Sequence, residues 1–298
     1  MNIWDADAFR LSPVAEAIGP FCTHGFLEVV SAHDSGEPLP VVSDDAFLAL
    51  RRVGGEICFA GDADVTDYHT PFGEGAEDLI ARFAHESLGG SRLVLDSLPE
   101  EAAKPLVAGL TAAGCSVSTR IHEVTAVLDL PDTFDDYLTA IGKKERHELR
   151  RKRRRYERLV APIDHVTFRG SDWAMDEFVR LHRLSEGEKG RFMSEDRADF
   201  FRSLFTLEGW RLDALMVSDG CAAMVFGYSD PSGYYLYNSA FDPEHSEGSP
   251  GVVLLGSMIE QAIAEGMPRF DFLKGDEGYK FRLGARRRPL LVIEAVGP

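Results

Sequence analysis

The sequence predicts an α/β protein of the α+β kind, with mixed, mostly antiparallel sheets flanked by helices. Three observations carry that expectation. Short apolar runs between Leu212 and Phe241 are interrupted by Asp219-Gly220 and by Ser229-Asp-Pro-Ser-Gly233, the punctuation of an antiparallel meander. Apolar residues recur at helical spacing elsewhere, as at Leu255, Met258, Ile259, Ala262 and Ile263. The 298 residues, 44% hydrophobic and 10% aromatic, suffice for two cores or one large domain and exclude a disordered chain.

In chain order, the first half alternates strands and helices. Strands are expected at 26–30, 56–60 and 92–95, helices at 76–88 and 100–113 (ended by Gly114), and a further strand at 124–130. Pro131-Asp-Thr133 marks a boundary, giving domains 1–128 and 129–298. A helix starts near Thr133 with Phe134, Tyr137, Leu138 and Ile141 on one face, and after Gly142 a basic helix covers 143–160. A strand at 166–168 and helices at 172–184 and 194–207 follow, the helices joined by a polar, Gly-bearing segment, 185–193. The meander supplies strands at 212–217, 222–228 and 234–241. After a polar loop, 242–249, Ser249 suits an N-cap and Pro250 a first helical position, with Gly266 and Pro268 stopping the helix. A short strand at 269–273, a polar loop with a helical turn at 274–284, and a strand at 290–296 close the chain.

Charge is distributed unevenly. The net value of −17 argues against wholesale nucleic-acid binding, yet residues 143–158 hold ten Lys/Arg against three Glu. Six consecutive cations, Arg150 to Arg155, wrap every face of a helix. Either they meet carboxylates of the acidic body, or two or three of them hold phosphates of a ligand. Cys22, Cys58, Cys115 and Cys221 lie far apart and read as buried free thiols, and no cluster has metal-ligand spacing. The absence of a run of about 18 apolar residues removes a spanning helix, and the acidic start Met-Asn-Ile-Trp-Asp lacks a secretory core. A cytoplasmic protein is the expectation. Asp67-Tyr68-His69 either faces a cleft or caps a loop.

Strand, loop, helix N-terminus and strand, in that order, present free backbone N–H groups to an anion. Residues 246–252 are therefore expected to receive a phosphate-bearing ligand.

The order of elements is joined by motifs: Asp135-Asp-Tyr-Leu138, the basic run 143–155, Leu181-His182, Ser249-Pro-Gly251 and Phe270-Asp-Phe-Leu-Lys-Gly-Asp-Glu-Gly-Tyr-Lys280. In these the C-terminal half resembles the GCN5-related N-acetyltransferase superfamily, in its cellulose-biosynthesis-type or Fem-like branch. The first half resembles a divergent copy, so the resemblance implies tandem acetyltransferase-like halves. It further implies direct acyl transfer from acetyl-CoA, or another acyl-CoA, to a primary amine on a small molecule or peptide, without metal. The strand near Asn238, Ser239, Ala240 and Phe241 would bind the pantetheine arm and polarise the thioester carbonyl. Ser246, Gly248, Ser249, Gly251 and Val252 would receive the pyrophosphate.

By position, Tyr279 either protonates the leaving sulfur or packs. Asp276 or Asp271 either accepts the ammonium proton or caps the turn opened by Gly275. His182, Lys189, Arg191, Tyr237 and Asp271 are expected on the acceptor side. Lys280 lowers the Tyr279 phenol pKa, binds an acidic acceptor or makes a surface ion pair. One departure stands out: His245-Ser-Glu-Gly-Ser-Pro-Gly251 replaces the family's usual Arg or Gln and closely spaced glycines. Glu247 has the wrong charge and Pro250 lacks an N–H. Aminoacyl-tRNA is therefore an alternative donor, and a catalytically degenerate binding module an alternative role. The acceptor's identity and self-association are not legible in the residues.

Overall fold

The structure is a computed structural model that describes residues 3–185, 187–218 and 220–297, with the side chains of Glu188 and Lys189 also outside the description. In chain order the elements are α1 (His24–His33), β1 (Glu37–Val42), β2 (Phe47–Val53), β3 (Glu56–Phe59), α2 (Ala76–Phe83), β4 (Arg92–Leu98), α3 (Glu100–Ala112) and β5 (Ser116–Asp129). There follow α4 (Phe134–Ala140), α5 (Gly142–Val160), β6 (Asp164–Phe168), α6 (Asp172–Arg183), α7 (Glu188–Phe192), α8 (Glu195–Phe205), β7 (Trp210–Val217), β8 (Gly220–Asp230), β9 (Gly233–Phe241), α9 (Pro250–Ala264), β10 (Arg269–Lys274), α10 (Gly278–Arg282) and β11 (Arg286–Val296).

Two compact units result: Met1–Thr125 with Arg287–Pro298, and Ala126–Arg286. This division differs from the expected break at 128/129. The closing strand β11 pairs antiparallel with β4, Leu291 opposite Leu98 and Val296 opposite Arg92, so it completes the first unit's sheet.

In the first unit the strand order is β1-β2-β3-β4-β11-β5. Residues 26–30, expected as a strand, lie in α1. Thr23 caps that helix by accepting from the Phe26 N–H, and Phe26, Leu27 and Val30 are buried at helical spacing. A five-residue apolar run does not tell strand from helix, and the cap decides. β1 and β2 were not legible because Pro38 and Pro40 interrupt the first of them. β3 and β4 run parallel but pair only at Glu56↔Arg92 and Ile57↔Leu93. Beyond those pairs the gap is closed by the unit's own chain. The His69 ring bonds Ala60 O (3.2 Å) on one side and Asp96 Oδ1 (2.9 Å) on the other, and the His69 N–H donates to Ser97 O (2.9 Å). Tyr68 is fully buried and donates to Thr125 Oγ1 (2.7 Å). The segment 67–69 is thus a structural plug.

In the second unit the order β10-β9-β8-β7-β6 joins an antiparallel meander to one parallel strand. α5 and α9 cover one face over a core of Tyr156, Leu236, Leu254, Met258, Ile259 and Phe270. α6 and α8 bury Phe178, Phe201, Leu204 and Phe205. Beneath them Asp213, fully buried, accepts from Thr167 Oγ1 (2.7 Å), Arg211 Nε (2.9 Å) and Tyr234 OH (2.9 Å), and His165 Nε2 lies 3.1 Å away. Burial alone would raise the Asp213 carboxyl, but the His165 hydrogen bond and the Arg211 charge outweigh it and hold it below the usual range. The 242–249 stretch, expected as a loop, is largely a 3-10 helix, Pro243–Gly248. Of the cysteines only Cys221 is buried, where burial pushes its thiol up to about 12; Cys22, Cys58 and Cys115 are half-buried.

Candidate active site

Two irregularities in the second sheet build the site. First, β9 and β10 pair only at Phe270↔Tyr234 and Asp271↔Tyr235. From Leu236 to Phe241 the β9 edge toward β10 is left without a ladder partner, and the parallel strands part. Second, the register with β8 shifts from Gly227↔Leu236 to Phe226↔Asn238, a bulge at Tyr237. Such a bulge re-aims side chains and backbone groups at a strand's working end.

Beside the C-terminal end of β9 lies a cavity of about 270 Å³. β8 contributes Ala223, Met224 and Val225, β9 contributes Ser239, Ala240 and Phe241, and α9 contributes Gly251, Val252, Leu254 and Leu255, with Glu277 and Tyr279 across from them. The sequence-expected residues Ser239, Ala240, Phe241, Gly251, Val252 and Tyr279 are therefore brought together. Leu254, Leu255 and Glu277 were not singled out from the sequence. Glu277 stands at the N-cap of α10, one residue past Asp276, and the position of that helical turn was the missing signal.

The α9 N-terminus is poorer in free amides than expected. Ser249 takes a left-handed conformation (φ 58°) and its side chain makes no cap bond. Its carbonyl accepts from the N–H groups of Val252 (3.0 Å) and Val253 (3.2 Å). Pro250 has no N–H, so the first turn leaves Gly251 as its open donor. Gly248 is buried against Tyr156, Ser246 is exposed in the 3-10 helix, and neither lines the cavity.

Tyr279 is half-buried, and its hydroxyl has no hydrogen-bond partner among the described residues. Burial, aided by the Glu277 charge, pushes its pKa up to about 12. The expectation that Lys280 lowers this pKa is thus corrected. Lys280 is itself buried; its ammonium donates to Lys274 O (2.5 Å), lies 3.5 Å from the carbonyls of Leu273 and Gly275, and pairs with Glu277 (3.0 Å). It ties down the turn that follows β10 rather than facing an acceptor. Asp271 is fully buried and accepts from the Leu273 N–H (2.8 Å), steadying Leu273 at φ +57°. This is the turn-capping alternative. Asp276 is exposed and lies outside the cavity lining.

The remaining candidates face the α6/α8 side of the sheet. Asn238 Oδ1 accepts from the Ser239 N–H (2.8 Å), and His182 Nε2 lies 3.0 Å from the same oxygen. Because the Ser239 amide is a donor, that oxygen is the acceptor and His182 Nε2 carries the hydrogen. His182 is buried, and Tyr237 packs on Phe201 and Trp210 with ring centroids 5.6 and 5.2 Å apart. Arg191 is exposed on α7, and the Lys189 side chain lies outside the described residues.

Residues 143–281, spanning α5 to α10, match the family model of the acetyltransferase (GNAT) domain. That match covers the second unit's α5 to α10, and what it shows is a likeness to the acetyltransferase (GNAT) domain over those residues. The parted β9 and β10, the bulge and Tyr279 all fall within it. No curated protein matches the chain in sequence. Among solved structures, the chain resembles FemX at TM-score 0.63 and 11% identity, with 98% of this chain and 96% of that one covered. It also resembles a tandem GNAT protein from the clavulanic acid biosynthesis pathway (0.52, 15%, coverage 100% and 98%). A third likeness is to the C-terminal domain of a protein assigned as a lysylphosphatidylglycerol synthetase from Agrobacterium fabrum (0.60, 14%, coverage 90% and 86%). At these identities the likeness is one of fold, and it supports the two-half architecture. Among the described residues no helix is long and apolar enough to cross a membrane, and no group of three His, Cys, Asp or Glu is placed to hold a metal.

Proposed function

We propose that the GNAT-like domain moves an acyl group, acetyl or similar, from a CoA thioester directly to a primary amine. The observation that carries this reading is the end of β9 from Asn238 to Phe241, which no ladder pair joins to β10 and whose last three residues line a cavity that reaches Tyr279. An amide-bearing carrier arm can complete that edge by strand-like hydrogen bonds, which a closed sheet would forbid. The cavity's lining is largely aliphatic, which excludes water from a thioester carbonyl held there. The amine nitrogen attacks the carbonyl carbon and the carbon–sulfur bond breaks. Tyr279, neutral because burial holds its proton, gives that proton to the departing sulfur. Glu277, the acidic residue of the lining, takes the proton shed by the attacking ammonium.

The phosphate end of the carrier is the weaker fit. Gly251 offers one open N–H, and the exposed Glu247 is paired with Arg155 (2.6 Å) at the same corner. This favours, as a second reading, an aminoacyl-tRNA donor, as does the cation-rich face of α5. Thermal shift separates the two: stabilisation by acetyl-CoA or CoA supports the first, and tRNA retention that weakens steeply with salt supports the second. No response to either ligand, with Tyr279→Phe indistinguishable from wild type in every assay, leaves a binding module of the same fold. A protein in the cytoplasm acting on soluble amines is the setting we propose.

A further inference from the structure

A second cavity of about 270 Å³ lies in the same unit, between α4, α5 and α9 and away from Tyr279. Its walls are Phe134, Leu138, Leu149 and Val253, with Ser257 at its side and Arg150 at its mouth. Arg153 also lines it but is held by Glu157 (3.3 Å) and Glu260 (3.1 Å), so its charge is already answered. Arg150 has no carboxylate partner among the described residues. Nor do Lys143, Arg154 and Arg158, which share its face of α5 at spacings of seven, four and four. Elsewhere on α5, Arg151, Arg153 and Arg155 pair with Glu148, Glu260 and Glu247, so the unpaired cations include this stripe, on a chain of net charge −17. One carboxylate, Asp135, stands at the rim and is exposed.

An apolar pocket beside an unanswered guanidinium matches one kind of ligand. We propose that this cavity binds a single-chain anionic amphiphile, its alkyl chain among Phe134, Leu138, Leu149 and Val253 and its phosphate or carboxylate on Arg150. The chain gains burial and the head group gains a charge-assisted bidentate hydrogen bond, so both parts are needed. The site uses no residue of the Tyr279 cavity and stands whether or not the transferase reading holds.

The test is isothermal titration of the full chain with decyl phosphate below its micelle concentration, with inorganic phosphate and decyltrimethylammonium as controls. Decyl phosphate is expected to bind with one-to-one stoichiometry and neither control to bind comparably. Arg150→Glu, on the exposed face, is expected to weaken binding at least about tenfold. Ser257→Phe, which fills the cavity, is expected to abolish it, with the thermal midpoint of each variant confirming the fold. No binding, equal binding of either control, or undiminished binding in both variants overturns the proposal.

Discussion

Tyr279 is the residue on which the chemistry turns. Tyr279→Phe is expected to lower kcat by about 100-fold or more while leaving the KM for the donor near its original value. Because the hydroxyl has no partner, the same variant is expected to keep the wild-type thermal midpoint; a large loss of stability would mark Tyr279 as structural instead. With its pKa pushed up to about 12, the phenol remains a proton donor across ordinary pH. The rate should show no alkaline fall from this group until pH nears that value. The stability linked to the raised pKa is full below the unfolded tyrosine value of about 10 and is lost as pH rises through about 12. At this scale the sequence was partly legible. Tyr279 could be placed from the Phe-Asp-Phe-Leu-Lys-Gly-Asp-Glu-Gly-Tyr-Lys motif, but the roles of its neighbours could not. Asp271, Glu277 and Lys280 differ by burial and by which carbonyls they meet, and neither is written in their spacing.

At the scale of elements, the second unit depends on two close fits. A methyl group added at Gly248 would lie 2.0 Å from Tyr156 Cδ2, so Gly248→Ala must push α5 from the 3-10 turn. A loss of about 1–3 kcal/mol in urea unfolding is expected, the usual cost of overpacking. Asp213 ties β6, β7 and β9 together. Asp213→Ala leaves the buried Arg211 guanidinium with only the more distant Glu265 carboxylate (3.5 Å) and is expected to cost about 3–5 kcal/mol. Because the Asp213 pKa is held low, its contribution is present above the unfolded carboxylate value of about 3.9 and is lost as pH falls through the folded one. An acid unfolding curve of the wild type that does not steepen relative to Asp213→Asn would contradict this. The meander and the helices 172–183, 195–205 and 250–264 were legible, since turn residues and long apolar periodicity mark them. α1 was not, because its cap residue Thr23 outweighs a five-residue run. Nor was the left-handed Ser249, whose carbonyl takes two amides that helix-capping rules leave free.

Across the whole molecule, each unit contains a parallel strand pair that parts after two residue pairs, Glu56↔Arg92 and Ile57↔Leu93 in one, Phe270↔Tyr234 and Asp271↔Tyr235 in the other. A non-glycine residue at positive φ sits near the end of one strand of each pair, Ser97 in β4 and Leu273 in β10. The first unit closes its gap with His69, and the second leaves its gap open. That contrast is invisible in composition, because filling the gap takes only one histidine and three oxygen acceptors. Amide hydrogen exchange of residues 236–241 and Gly251, with and without saturating acetyl-CoA, tests the transferase reading most directly. Slower exchange along that stretch of β9 and at Gly251 is the predicted result. Unchanged exchange there, whether or not protection appears elsewhere, would contradict it.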